Sequence, residues 1–205
     1  MEKPTRIYLV RHGEVVGHEQ KRYNGHADVG ITPRGEEQYR LLDQRLAEIP
    51  LSAVYSSDLT RCRIGAEMIA RRHALTPHFR RDLRELHIGV WEGLTWDEII
   101  QRWPREWEAR LADIVDYRVP GGESTRDLAN RAVPAVREIV SRHRGESVLI
   151  VGHGGLNRVI LLDAIGAPLS SLFSIEQNYA CLNVIDYHPD GTRVVRRVND
   201  TGELP

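Results

Sequence analysis

Short, continuous apolar runs alternate along the chain with longer stretches whose apolar residues recur every three or four positions. "IYLV" (7–10) and "SVLIVGH" (147–153) are unbroken and rich in β-formers, the pattern of strands buried on both faces of a parallel sheet. "LSAVYSS" (51–57) is a third such run and "LTPHFR" (75–80) a weaker one. "CLNVIDYH" (181–188) and "RVVRRV" (193–198) flank the turn "PDG" and read as a hairpin at the sheet edge. Between them the period changes. Thr32 can cap a helix with Pro33 at its first position and Leu42, Leu46 and Ile49 at i, i+4, i+7. Leu59, Ile64, Met68 and Ile69 form a helical stripe from Asp58 to about Arg72. Ser124 can cap a third helix carrying Leu128, Ala132, Val136, Ile139 and Val140, and "GLNRVILLDAI" (155–165) makes a fourth. Strands alternating with helices predict a three-layer α/β/α fold with a mostly parallel, doubly wound sheet and an antiparallel edge strand.

One segment breaks the rhythm. Residues 87–120 hold all four tryptophans (Trp91, Trp96, Trp103, Trp107) together with Pro104 and Pro120. They read as a helical insertion over one edge of the sheet, either a lid or a packed subdomain, within a single domain spanning 1–205. The 205 residues are 41% hydrophobic and 28% charged, with a formal net charge of −1, which excludes a global field for nucleic acid or anionic lipid. No run approaches a membrane span, and the polar start "MEKPTRIYLV" does not read as a signal peptide. Cys62 and Cys181 lie far apart with no CxxC pairing, so they are expected to be free, buried thiols in a cytoplasmic protein.

Two rims look alike. "YLVRHG" (8–13) and "IVGHGG" (150–155) each run a buried strand into a histidine and then a glycine. Ligands of open parallel sheets bind beyond the carboxyl ends of the strands, which places His12 and His153 on one rim, with Gly13 and Gly154 letting backbone approach a ligand. A lone histidine after a strand is ordinarily a turn residue; a matched pair is not. Arg11 precedes the first histidine, and Arg61 lies about one turn into the helix after the third strand, whose N-terminus has free amides that favour anions. Two arginine forks and two imidazoles fit a phosphate clamp. Glu85, between Leu83 and Leu86, is the fifth candidate, on a loop expected to be partly enclosed.

The ordered set "LVRHGE", "NGHADVGITPRGEEQ" (24–38), "SSDLTRC", "RELHIGVWEG", "PGGES" (120–124) and "VGHGG" resembles the histidine phosphatase superfamily, the phosphoglycerate mutase-like proteins, over nearly the whole chain. The resemblance implies a covalent phosphohistidine on His12, with Arg11, Arg61 and His153 around the phosphoryl group and Glu85 as proton donor. It also implies substrate contacts at Asn24 and Gly25. The physics fits these roles. Two arginines offset a phosphate monoester's charge of about −1.5 to −2 and disfavour a charged imidazole, keeping His12 nucleophilic. His153 can donate to an equatorial oxygen. Glu85 can protonate the leaving alkoxide only while it carries a proton, and an adjacent anionic phosphate disfavours a second negative charge there.

The scheme calls for no metal or other cofactor: no zinc-like spacing, HExxH motif or P-loop is present. The expected partner is a small phosphorylated metabolite, with neither nucleic acid nor membrane, and a homodimer is left open. Within the family, mutases carry serine and asparagine shortly after "RHGE", where this chain has Val15, Val16, Gly17 and His18. That departure, the short length, "PGGES" and the ending "IEQNYACLNVIDYHPDG" look most like the α-ribazole phosphatase and broad-specificity phosphatase branch. Mutase-type transfer and a non-catalytic phosphate-binding role are the alternatives.

Overall fold

The computed structural model describes residues 2–202. Along the chain the elements are β1 (Thr5–Arg11), α1 (Pro33–Leu46), β2 (Leu51–Ser57), α2 (Thr60–Arg72), β3 (His78–Arg80), α3 (Trp96–Arg102), α4 (Pro104–Ala112), α5 (Thr125–Arg142), β4 (Ser147–Gly152), α6 (Gly154–Ile165), β5 (Leu182–Tyr187) and β6 (Arg193–Asp200). The described residues form a sheet in the order β3-β2-β4-β1-β5-β6. β3, β2, β4 and β1 are mutually parallel. The expected hairpin at the sheet edge is β5–β6: β5 pairs antiparallel with both β1 and β6, and so is the one strand that runs against the others.

Both faces of the sheet are covered, which is why the central strands read as unbroken apolar runs. Alternate residues of β1 point to opposite faces. Ile7 and Leu9 pack with Val148 and Ile150 of β4 against Leu128, Ala132, Val136 and Ile139 of α5 and Val159 and Ile160 of α6. Tyr8 and Val10 pack with Leu149 and Val151 against Tyr39, Leu42 and Leu46 of α1 and Cys62, Ala66 and Ile69 of α2. The stripe expected on α2 is thus turned: Ile64 and Met68 are only half-buried, and the small Cys62 and Ala66 face the sheet. Their smallness lets α1 approach. A Cβ on Gly65 would stand 1.9 Å from a ring carbon of the buried Tyr39, so glycine is required there by packing.

The helix starts follow their capping chemistry. Thr32 Oγ1 accepts the Gly35 N–H at 3.0 Å, with Pro33 at the first position. α1 then ends at Leu46, leaving Ile49 in the turn beyond. Ser124 and Asp127 form a reciprocal capping box that starts α5.

The Trp-rich segment builds a core of its own. Ile88, Trp91, Ile99 and Val119 are fully buried together, ringed by Tyr23, Leu94, Trp103, Trp107 and Tyr117. Among the described residues, no residue of a sheet strand belongs to this cluster. It is tied instead to the loop after β1: Tyr23 N–H donates to the Leu94 carbonyl and Gly93 N–H to the Tyr23 carbonyl, at 3.0 and 2.8 Å.

Candidate active site

β1 and β4 run parallel with Arg11 opposite Gly152, so the next residues, His12 and His153, leave the sheet side by side. Their ring centroids lie 5.2 Å apart at 65°. The end of β1 is pinned from both neighbours: His12 N–H donates to the Gly152 carbonyl, and Ala180 N–H to the His12 carbonyl, each at 3.0 Å.

The hydrogen bonds assign the tautomers. His12 Nδ1 lies 2.8 Å from the Gly13 carbonyl, which can only accept, so Nδ1 carries the hydrogen and Nε2 keeps its lone pair. Arg61 Nε donates to His153 Nδ1 at 3.3 Å, so on His153 the hydrogen resides on Nε2. One imidazole thereby keeps a free lone pair on Nε2, and the other carries its hydrogen on Nε2, 3.4 Å from Cys62 Sγ. Both rings are buried, and this burial, followed by the charges of Arg61 and Arg11, holds both well below the usual histidine pKa. For His153 the neighbouring His12 adds to the effect. Two neutral imidazoles among arginines form a site whose fixed charge is positive and whose histidines stay unprotonated.

Arg61 is 1% exposed, which a guanidinium tolerates only when its donors are used. Besides His153, it donates to the carbonyls of Ala27 and Gly25, each at 2.7 Å, and so holds the loop that carries Asn24 and Gly25. Gly25 sits at φ +45° with Glu92 Oε1 only 2.5 Å from where a Cβ would be, so the loop conformation demands glycine. Asn24 contributes its carbonyl to the Ala27 N–H at 2.7 Å. Arg11 lies over the Tyr179 ring, 4.1 Å from its centroid, donates Nη1 to the Gln177 carbonyl, and leaves a buried Nε without a protein partner.

Glu85 is held by three amides. Its Oε2 accepts the Gly155 N–H at 2.9 Å, and its Oε1 accepts Leu156 N–H at 3.1 Å and Leu86 N–H at 2.9 Å. Two of these belong to the first turn of α6, the helix that His153 caps, so the carboxylate and the second histidine share one support. The backbone of Glu85 is fixed too, its carbonyl taking Arg131 Nη2 at 2.6 Å and His26 Nε2 at 2.8 Å.

Gly13 is also required by packing, because a Cβ there would stand 2.6 Å from the Gly35 carbonyl oxygen of α1. At the α2 terminus the Thr60 amide is already used: Asp28 takes its N–H at 2.7 Å and its hydroxyl at 2.9 Å.

Several supporting residues escaped the sequence reading. Arg131 of α5 ties the carbonyls of Asp82, Arg84 and Glu85 together, and is itself gripped by Glu123 of "PGGES". Glu123 stays ionised below the usual range because Arg131 and the His87 N–H outweigh its burial. Beneath Arg11, the buried amides of Gln177 and Asn183 pair reciprocally at 2.7 and 2.9 Å, and Asn183 also donates to the Leu9 carbonyl at 3.0 Å. Both lie in "IEQNYACLN", where the amide of Asn183 inside the apolar run "CLNVI" was the available signal and Gln177, between Glu176 and Asn178, had none. Cys62 and Cys181 are free and buried, their thiols pushed up by burial to about 12 and about 11.

The sequence and fold are matched among known proteins. The bifunctional protein Rv2228c of Mycobacterium tuberculosis is 35% identical over 202 residues, covering 98% of this chain and 55% of the relative; this chain thus spans about half the length of such relatives. The metal-independent phosphoserine phosphatase of Arabidopsis thaliana is 38% identical over 77% of this chain and 68% of its own. The crystal structure of the α-ribazole phosphatase from Shigella flexneri superposes with a TM-score of 0.89 at 25% identity, over 96% of this chain and 97% of that one. The family description "Histidine phosphatase superfamily (branch 1)" matches residues 7–201, and with that match, on this pair of histidine rims, the chain belongs to that superfamily.

Proposed function

We propose that this chain is a phosphomonoesterase that works without a metal, through a phosphohistidine on His12 Nε2. The carrying observation is the Nδ1–H bond from His12 to the Gly13 carbonyl, which leaves Nε2 with a free lone pair beside two arginines and the donor face of His153. In the first step Nε2 attacks phosphorus and the ester P–O bond breaks, while a proton from Glu85 goes to the leaving oxygen. Glu85 Oε1 already accepts two amides and Oε2 one, so the proton it delivers belongs on the remaining lone pair of Oε2. In the second step water attacks phosphorus, gives its proton back to Oε2, and the N–P bond breaks. Arg11, Arg61 and His153 offset the charge on the phosphoryl oxygens. Gly154, beside Arg11, and Asn24 and Gly25, on the loop held by Arg61, provide contacts to the substrate.

The substrate is a small phosphorylated metabolite. α-Ribazole 5′-phosphate is the first to try, supported by the "PGGES" and "IEQNYACLN" segments and the structural likeness to the Shigella enzyme; phosphoserine is the second, after the Arabidopsis relative. The test is hydrolysis of p-nitrophenyl phosphate in excess EDTA, with acid-labile phosphate trapped on the protein by rapid quench. Activity in EDTA and loss of the label in His12→Ala are expected. A strict metal requirement, or label retained on that variant, refutes the scheme. Products from 3-phosphoglycerate plus 2,3-bisphosphoglycerate separate hydrolysis from mutase transfer.

A further inference from the structure

We propose that Gly155, the second glycine of "VGHGG", is a positioning residue for the acid: its missing side chain is the seat of the Glu85 carboxylate. This rests on the function proposed above and goes beyond it by assigning a role to a residue that does not touch the reacting atoms. A Cβ on Gly155 would stand 2.5 Å from Glu85 Oε1, 3.3 Å from Cδ and 3.4 Å from Oε2. The Gly155 N–H, meanwhile, donates to Oε2. The same residue therefore supplies both the space and one of the hydrogen bonds. Gly154 differs, since a Cβ there would meet Arg158 Nη1 at 3.4 Å and Arg11 Nε at 3.5 Å, which are ordinary contacts.

The crowding cannot be relieved by the backbone of the Glu85 loop. Arg131 binds its carbonyls at 82, 84 and 85, and His26 binds the last of these again. Nor can α6 withdraw, because Leu156, Val159 and Ile160 are buried in the core beneath the sheet. A methyl at 155 must turn the carboxylate aside, by about 1 Å to regain ordinary contact distance. Displacements of that size at a reacting group cost up to about 100-fold in rate. Space at Gly155 thus couples the second histidine's helix to the acid.

The experiment is a mutant cycle of Gly155→Ala and Glu85→Ala on two substrates: glycerol 2-phosphate, whose alkoxide needs a proton to leave, and p-nitrophenyl phosphate, whose phenolate needs little. Gly155→Ala is expected to lose about 30- to 100-fold in kcat/KM, which reads the steps up to departure of the leaving group, on the first and under about 5-fold on the second. The double variant is expected to be no slower than Glu85→Ala alone. Equal losses on both substrates, or multiplicative losses in the double variant, overturn the proposal. So does a crystal structure of Gly155→Ala in which Glu85 still accepts the 155 and 156 amides. A wild-type protein that hydrolyses neither substrate and takes no acid-labile phosphate fails the proposed function instead, and that crystal structure then decides the seat alone.

Discussion

Replacing Arg61 by lysine keeps the charge and removes the fork, and it measures what the fork contributes. The guanidinium uses three separate nitrogens on three acceptors: the Ala27 and Gly25 carbonyls, each at 2.7 Å, and His153 Nδ1 at 3.3 Å. A lysine ammonium is compact and reaches one of these sites well, leaving at least one enclosed carbonyl without a donor. A hydrogen bond to a charged group is worth roughly 1.5–3 kcal/mol, and an abandoned buried acceptor costs about 1–3 kcal/mol. Arg61→Lys should therefore destabilise the fold by about 2–4 kcal/mol, or about 5–15 °C in melting temperature for a chain of this size. Urea unfolding followed by tryptophan fluorescence reads the first quantity and calorimetry the second. The loop at 24–28 loses its anchor and His153 its tautomer lock, so kcat on p-nitrophenyl phosphate should fall by at least about 100-fold. A variant within 0.5 kcal/mol of wild type, on this order-of-magnitude scale, shows that the two carbonyls are not held by Arg61 and refutes the reasoning.

Further outcomes follow from the same contacts. His12 and His153 are held below the ordinary histidine pKa, so between that depressed value and about 6.5 the unfolded chain binds more protons than the folded one. Stability should then fall as pH drops from 7 toward 5, by up to about 1.4 kcal/mol per pH unit for each histidine, and His12→Asn should flatten the slope; urea midpoints across that range that do not change contradict the assignment. Trp91→Ala should cost about 3–5 kcal/mol through the cavity it leaves in the cluster of Ile88, Ile99 and Val119, read by urea unfolding followed by circular dichroism. With their thiols raised to about 12 and about 11, Cys62 and Cys181 should resist iodoacetamide at pH 8 in the folded protein and react fully in urea. Rapid labelling of the native chain would show that burial does not protect them.

The central strands and the capped helices could be read from local pattern because their causes are local. An unbroken run such as "IYLV" requires two covered faces, and Thr32-Pro33 and Ser124 through Asp127 satisfy their own helix ends within four residues. The pair of His–Gly rims could be read for the same reason: each is a strand end followed by a short turn. The packing constraint on Gly13 could not be read this way, because the neighbour that excludes a side chain there is Gly35 of another element. Val15, whose character weighed toward phosphatase, proves to be buried and bridged to Ile31, so the weight of that argument shifts to Val16, which is 61% exposed, and His18.

Tertiary structure alone decided how the candidate residues are presented. That His12 offers Nε2 follows from a carbonyl one residue away, yet that His153 offers Nε2–H depends on Arg61, 92 positions earlier. The seating of Glu85 depends on amides 70 and 71 positions later and on Arg131 across α5. By itself the sequence determined which side chains stand at the rim, because strand period and capping act over a few residues. Which lone pair is free, which carbonyl is filled and which glycine makes room were settled only when distant segments packed, because a hydrogen bond or a steric contact is made by whatever the fold brings within about 3 Å.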